Sequence, residues 1–112
     1  MSKLVLTGAN GYIGGRLVPE LLSDGWDVHA VVRDPAPALA VEQTVCDLAG
    51  AGADAALASA CEGADTIVHL AGEDEVLAAR EPAAALAATV VATEKVAGAC
   101  AASSAKRLVY MS

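Results

Sequence analysis

At 112 residues, of which 55% are hydrophobic, the chain is long and apolar enough to form one packed domain, which excludes intrinsic disorder. The formal net charge is −7, and the seven Lys and Arg residues are scattered along the sequence. A protein that follows nucleic-acid phosphates needs a basic face, so the composition disfavours nucleic acid as a partner.

The amino-terminal third of the chain predicts a helix between two strands. The apolar run Lys3–Thr7 predicts a buried strand. Apolar residues then recur at helical spacing over Tyr12–Asp24, and Gly25 is typical of the residue that follows a helix. Pro19 lies inside this helix, where we expect it to destabilise or kink the helix locally. A second strand is predicted over Trp26–Val32.

The remaining sequence continues the alternation of strands and helices after a loop at residues 33–37, which contains two prolines. We predict strands at Val41–Cys46, Thr66–Leu70 and Arg107–Met111, and alanine-rich helices at Ala53–Cys61 and from Pro82 to about Ser103. Strands that alternate with helices form a parallel sheet with helices on both faces. The predicted fold class is therefore α/β, a doubly wound parallel sheet of about five strands in one domain over residues 1–112.

Cysteine usage and the start of the sequence favour a cytoplasmic protein. Cys46, Cys61 and Cys100 are odd in number and form no C-x-x-C pair, so we expect free, buried thiols rather than disulfides or a zinc site. A strand pattern begins at Lys3 without an apolar signal segment, and no apolar stretch is long enough to span a bilayer without charge or glycine. We therefore expect neither a metal nor a membrane partner.

The strongest motif is the T-G-x-x-G-x-x-G run of Thr7–Gly14, which directly follows the first predicted strand and opens the first helix. Gly8 allows a tight turn, Gly11 lets the backbone approach a pyrophosphate, and Gly14 lets the helix pack closely on the sheet. The N–H groups at the start of that helix would face the phosphates. Three glycines can also form a turn without a ligand, but the surrounding strands and helix favour a dinucleotide-binding turn.

Together with four later segments, this turn resembles the extended and atypical short-chain dehydrogenases/reductases, which include NAD(P)-dependent epimerases and dehydratases. The matching segments are Thr7–Leu17, Val31–Pro35, Cys46–Leu48, Val68–Gly72 and Arg107–Ser112. They occur at the family's spacing and cover nearly the whole chain. The resemblance implies a Rossmann-type sheet, incomplete at its carboxyl-terminal end, that serves as the NAD(P)(H)-binding domain of an oxidoreductase, epimerase or dehydratase.

The resemblance also implies which residues contact the cofactor. Turn residues would hold the pyrophosphate, two residues after the third strand would border the adenine, and two after the fourth would line the path to the nicotinamide. These residues are Gly8, Asn10, Gly11, Tyr12, Ile13 and Gly14 in the turn, then Asp47 and Leu48, then Ala71 and Gly72.

Arg33, at the end of the second predicted strand, would meet the adenosine ribose. An acidic residue at this position binds the 2′-hydroxyl of NAD, whereas Arg can neutralise the 2′-phosphate of NADP. Arg33 therefore favours NADP, while the adjacent Asp34 leaves NAD open. The alternative is that Arg33 is a solvated loop charge.

The catalytic residues of the family have no counterpart in this sequence. The family uses a Ser or Thr just after the fifth strand and a Tyr-x-x-x-Lys pair, in which Tyr exchanges a proton and Lys lowers its pKa. Arg16 stands four residues after Tyr12, and no Lys follows Tyr110. Ser112 falls one position short of the expected hydroxyl, and Thr89 stands where Asn is common. We assign no catalytic residue and no substrate, so the alternative function is a non-catalytic NADP(H)-binding sensor or regulatory module.

Two further features have simpler interpretations than a catalytic or metal site. His69 lies between apolar residues of a strand, where a structural histidine is more common than a catalytic one. The acidic run Glu73–Glu75 is more typical of a solvated loop than of a metal site.

The fifth strand would leave an apolar sheet edge at Leu108–Met111, so we expect the chain to form homo-oligomers or to be marginally stable.

Overall fold

A computed structural model describes residues 2–9, 12–70 and 79–111 of the chain. The strands and helices are β1 (Lys3–Thr7), α1 (Tyr12–Ser23), β2 (Asp27–Val32), β3 (Glu42–Val45), α2 (Ala53–Ala60), β4 (Thr66–Leu70), α3 (Pro82–Ala102) and β5 (Arg107–Met111). They follow one another along these residues in the predicted order, with a loop joining β2 to β3.

The five strands are parallel and form one sheet in the order β3-β2-β1-β4-β5, which confirms the predicted fold class. The chain moves outward from β1 to β3 and then returns to place β4 on the other side of β1. Thr7, the last residue of β1, is level with Val31 of β2 and with His69 of β4. The carboxyl ends of three neighbouring strands therefore open on the same edge of the sheet.

Helices cover both faces of the sheet. Because side chains alternate along a strand, Leu6 of β1 packs in one core with Val18 of α1. Val5 of the same strand packs in a second core with Leu57 of α2 and Val96 of α3. Burial on both faces explains why β1 and β4 are nearly continuous apolar runs in the sequence.

The predicted bounds of β1, β4 and β5 and the starts of the three helices are confirmed, whereas several other ends shift by one residue. Trp26, Val41 and Cys46 lie just outside the strands in which they were expected. Cys46 still donates its backbone N–H to the Val32 carbonyl at 2.8 Å, so hydrogen bonding between the two chain segments extends one residue beyond the end of β3. Helix α1 includes Pro19 and continues to Ser23, so this proline does not end the helix.

The last two elements leave apolar side chains at the surface. β5 is an edge strand, as predicted, and all five of its residues are exposed. Helix α3 buries Val96 against the sheet, whereas Leu86 on the same helix is 66% exposed. Among the described helices, α3 is the one that is long and apolar enough to cross a membrane by length and composition alone. Self-association through these surfaces stays a prediction.

Two adjacent glycines test how closely α1 packs at its start. A Cβ on Gly14 would lie 2.5 Å from the Ala9 carbonyl oxygen, whereas a Cβ on Gly15 would meet nothing within 4 Å. We predict that Gly14→Ala lowers the free energy of unfolding by about 1–3 kcal/mol, because the backbone must move. Gly15→Ala should raise it by about 0.5–1 kcal/mol, because Ala is the better helix former. Urea denaturation measures both, and equal effects would contradict close packing at Gly14.

Candidate functional site

A cleft of about 140 Å³ opens at the carboxyl ends of β1, β2 and β4. Its walls come from these strand ends, from the loop after β3 and from α3, and they include Thr7, Gly8, Arg33, Asp47, Leu48 and Thr89. The strand order reverses between β1 and β4: β2 and β3 lie on one side of β1, and β4 and β5 lie on the other. Open α/β sheets bind their ligands outside the carboxyl ends of the strands at such a point.

Gly8 places bare backbone at the wall of this cleft. Its φ of 72° lies in the left-handed region, which glycine adopts without steric cost. A Cβ at this position would lie 2.7 Å from the Leu70 carbonyl oxygen at the end of β4. Glycine is therefore required here both by the turn itself and by the close approach of β1 to β4.

His69 of β4 joins several elements beneath the cleft. Its Nδ1 lies 2.5 Å from the Thr7 hydroxyl oxygen on β1, and its Nε2 lies 3.2 Å from the Thr93 hydroxyl oxygen on α3. The centroid of its ring is 5.8 Å from that of Tyr110 on β5. His69 is thus buried with a hydroxyl partner at each ring nitrogen, an arrangement that suits the structural role expected from the sequence.

Burial lowers the pKa of His69, so the imidazole is neutral near pH 7. A neutral imidazole has one N–H donor and one acceptor nitrogen, and a threonine hydroxyl can take either role. Thr7 and Thr93 therefore satisfy the ring in either tautomer. A proton added to the ring would place an unpaired charge among buried groups, which is unfavourable.

The residues predicted to surround the adenosine lie together. Arg33 is exposed at the end of β2, and Asp47 and Leu48 follow Cys46 in the loop after β3; all three line the cleft. The Asp47 carboxylate accepts the Ala49 N–H at 3.0 Å, and the Asp47 carbonyl accepts the Gly50 N–H at 2.9 Å. These two bonds make residues 47–50 a tight turn at one side of the cleft.

The predicted pyrophosphate and nicotinamide residues are only partly within the described chain. Gly14 is buried at the start of α1, and Ile13 is 48% exposed beside it. The side chain of Tyr12 and the whole of Asn10, Gly11, Ala71 and Gly72 lie outside the described residues, as does Glu73–Glu75.

The cysteines are free thiols that differ in burial: Cys61 is buried, whereas Cys46 and Cys100 are only partly so. Cys46 lines the cleft, but burial and the neighbouring Asp47 raise the pKa of its thiol. Burial likewise raises the pKa of Cys61. Neither thiol is therefore prepared to act as a nucleophile at neutral pH. Within residues 2–9, 12–70 and 79–111, no group of three metal-binding side chains comes together.

Sequence reasoning missed the polar contacts that α3 makes with the site. Thr93 bonds His69, and Lys95 donates its Nζ hydrogen to the Gly50 carbonyl at 3.1 Å. The available signal was the spacing of Thr89, Thr93 and Val96, which places these residues on one face of a helix.

Fold and cleft together define a doubly wound α/β domain of the kind that holds a nucleotide at its strand ends. Residues 4–112 match the NAD dependent epimerase/dehydratase family, and the chain belongs to that family. This confirms the resemblance found in the sequence. A comparison with curated proteins returned no match.

Solved structures with the same fold include proteins determined with bound NAD. MoeE5 in complex with UDP-glucose and NAD is 30% identical, with a TM-score of 0.81 over 97% of this chain and 36% of MoeE5. Uronate dehydrogenase from Agrobacterium tumefaciens is 26% identical, with a TM-score of 0.75 over 98% of this chain and 40% of that one. Vestitone reductase from alfalfa shares the fold and is 24% identical, with a TM-score of 0.73 over 98% of this chain and 36% of that one. The chain spans less than half the length of each protein.

The buried imidazole predicts a loss of stability in mild acid. An unfolded histidine has a pKa of about 6.5, and burial makes the pKa of His69 in the folded state lower. The unfolded state therefore binds more protons than the folded state just below pH 6.5. The free energy of unfolding should therefore fall as the pH drops from about 7 to about 5, by at most about 1.4 kcal/mol per pH unit from this group. His69→Gln keeps a donor and an acceptor but does not titrate, so it should flatten the slope. Urea denaturation across this pH range is the measurement, and an unchanged slope in His69→Gln would contradict the assignment.

Proposed function

We propose that this chain binds a nicotinamide dinucleotide in the cleft at the carboxyl ends of β1, β2 and β4. The observation that carries the proposal is the position of the glycine turn. Gly8 lines the cleft with its backbone in the left-handed region, and α1 begins four residues later at Tyr12. Membership in the epimerase/dehydratase family and the NAD bound to MoeE5 support the same class of ligand.

The pyrophosphate would lie between Gly8 and the first turn of α1. The N–H groups of that turn have no partner within the helix, and the positive end of the helix dipole lies there. A phosphate fits such a site because it accepts several of these hydrogen bonds at once. Gly14, which is buried against Ala9, keeps the helix start close to the sheet. Asn10, Gly11, Tyr12 and Ile13 would complete the pyrophosphate site.

The adenosine would extend from the pyrophosphate toward β2 and the turn at residues 47–50. Asp47 and Leu48 would border the adenine, and Arg33 would lie beside the ribose, where its guanidinium favours the 2′-phosphate of NADP. Asp34 and the NAD bound to MoeE5 support NAD as the alternative. The relative affinity for NADP and NAD therefore depends on Arg33 and Asp34, the two residues that follow β2.

The nicotinamide would lie toward the other side of the cleft, which His69 and Thr89 line. Ala71 and Gly72, the next residues in the sequence after β4, would line the path to it. A bound nicotinamide dinucleotide supplies hydride transfer, and the residues of this chain bind and orient it. MoeE5 with UDP-glucose or UDP-glucuronic acid, and uronate dehydrogenase, support a sugar-containing substrate for the whole protein. We propose an oxidoreductase or epimerase activity of that kind.

Calorimetric titration with NADPH and with NADH tests the cofactor proposal. We predict that NADPH binds about tenfold or more tightly than NADH, because the Arg33 guanidinium makes a charge-assisted contact with the 2′-phosphate. Arg33→Ala should reduce the two affinities to similar values, with its larger effect on NADPH.

Arg107→Ala provides the matched control, since it removes the same charge from an exposed residue at the amino end of β5. It should leave both affinities unchanged. Equal affinities in the unmodified chain would contradict the role of Arg33. A folded sample that binds neither cofactor would contradict the proposed function itself.

A further inference from the structure

The turn at residues 47–50 has two anchors below its exposed surface. Asp47 and Ala49 are exposed, and together with Leu48 they form the cleft side of the turn. Leu48 packs against the core that includes Leu57 and Val96. The second anchor is Lys95 of α3, whose Nζ donates to the Gly50 carbonyl oxygen at 3.1 Å.

Lys95 approaches this turn from helix α3, next to a residue that packs against the sheet. It directly precedes Val96, whose side chain is 1% exposed and packs against the sheet. Lys95 itself is partly buried, and it lies close enough to Cys46 to oppose the rise in the pKa of that thiol. The ammonium group is therefore held between α3 and the chain that leaves β3.

We propose that Lys95 is a positioning residue that holds the turn at residues 47–50 in the conformation that accepts the adenine end of the cofactor. The inference rests on the proposed function, because it assigns Lys95 a role in that same site. Lys95 acts through Gly50, whereas Asp47 and Leu48 form the surface that would contact the ligand. We call the hydrogen bond from Lys95 to the Gly50 carbonyl the tether. If the tether is lost, the turn occupies the binding-competent conformation for a smaller fraction of the time, and the apparent dissociation constant of the cofactor rises in proportion.

Lys95→Met tests the proposal, because methionine keeps much of the apolar stem and removes the donor. Lys3→Met is the matched control: the Lys3 Nζ donates to the Glu62 carbonyl at 2.8 Å, a bond of the same kind at the amino end of β1, away from the cleft. The probes are NADH, titrated by fluorescence, and adenosine, titrated in competition with NADH. Adenosine carries no charge, so its affinity reports the adenine pocket and not attraction between an ammonium and a phosphate.

We expect Lys95→Met to weaken the binding of both NADH and adenosine by about fivefold to tenfold, and Lys3→Met to change neither by more than about twofold. Without any ligand, amide hydrogen exchange at Ala49 and Gly50 should accelerate in Lys95→Met by a similar factor, because both N–H groups bond within the turn. Exchange at these two amides should be unchanged in Lys3→Met.

Three results would overturn the inference. If Lys95→Met binds NADH as tightly as Lys3→Met does, the tether has no role in binding, and the proposed function still stands. If Lys95→Met weakens NADH binding but changes neither adenosine affinity nor amide exchange, Lys95 acts through its charge and not through the turn. If the unmodified folded chain does not bind NADH or NADPH, the proposed function fails and this inference fails with it.

Discussion

The close approach of β1 to β4 at their carboxyl ends is the constraint on which the rest of this structure depends. The Gly8 backbone lies so near the Leu70 carbonyl that a Cβ would be 2.7 Å from that oxygen. One residue earlier on each strand, Thr7 and His69 are joined by a hydrogen bond. Because the two strands end level and in contact, the glycine turn, the loop after β3 and α3 can surround a single cleft.

Hydrogen bonds between polar side chains of β1, β4 and α3 maintain this arrangement. His69 bonds Thr7 on one side and Thr93 on the other, so one imidazole fixes both the strand that leads into the glycine turn and the helix that forms the opposite wall. Buried polar groups are costly when their partners are lost, which favours one relative position of β1, β4 and α3 over others. Lys95 has a comparable place at the adenine end, where it joins α3 to Gly50.

The sequence predicted the fold well because its strongest patterns have local causes. β1 and β4 are buried on both faces, so their apolar runs begin and end with the strands themselves. β3 has the polar sequence Glu42–Val45 and pairs with β2 alone, so its ends were misplaced by one residue. The glycine turn and the position of Arg33 beside the cleft were also predictable from the sequence, because each comes directly after a strand.

The contacts that complete the site could not be predicted in this way. His69 and Thr93 are 24 residues apart, and Gly50 and Lys95 are 45 residues apart, and neither pair belongs to a repeating pattern. Such contacts depend on which face of α3 packs against the sheet and on the position of the helix along the strands. The apolar exposure of β5 was predictable from its place in the strand order, whereas the exposed Leu86 of α3 was not, because the helix is apolar around most of its circumference.

The central claim is that a dinucleotide binds at the edge where β1, β2 and β4 end. Amide shifts of the isotope-labelled chain, recorded by NMR during titration with NADPH, test it most directly. We predict that the largest changes occur at Gly8, Arg33 and the turn at residues 47–50, while Lys3 and Asp65 at the opposite end of the sheet remain unperturbed. Changes centred instead on Glu62 and Ser103, where α2 and α3 end, would contradict the claim.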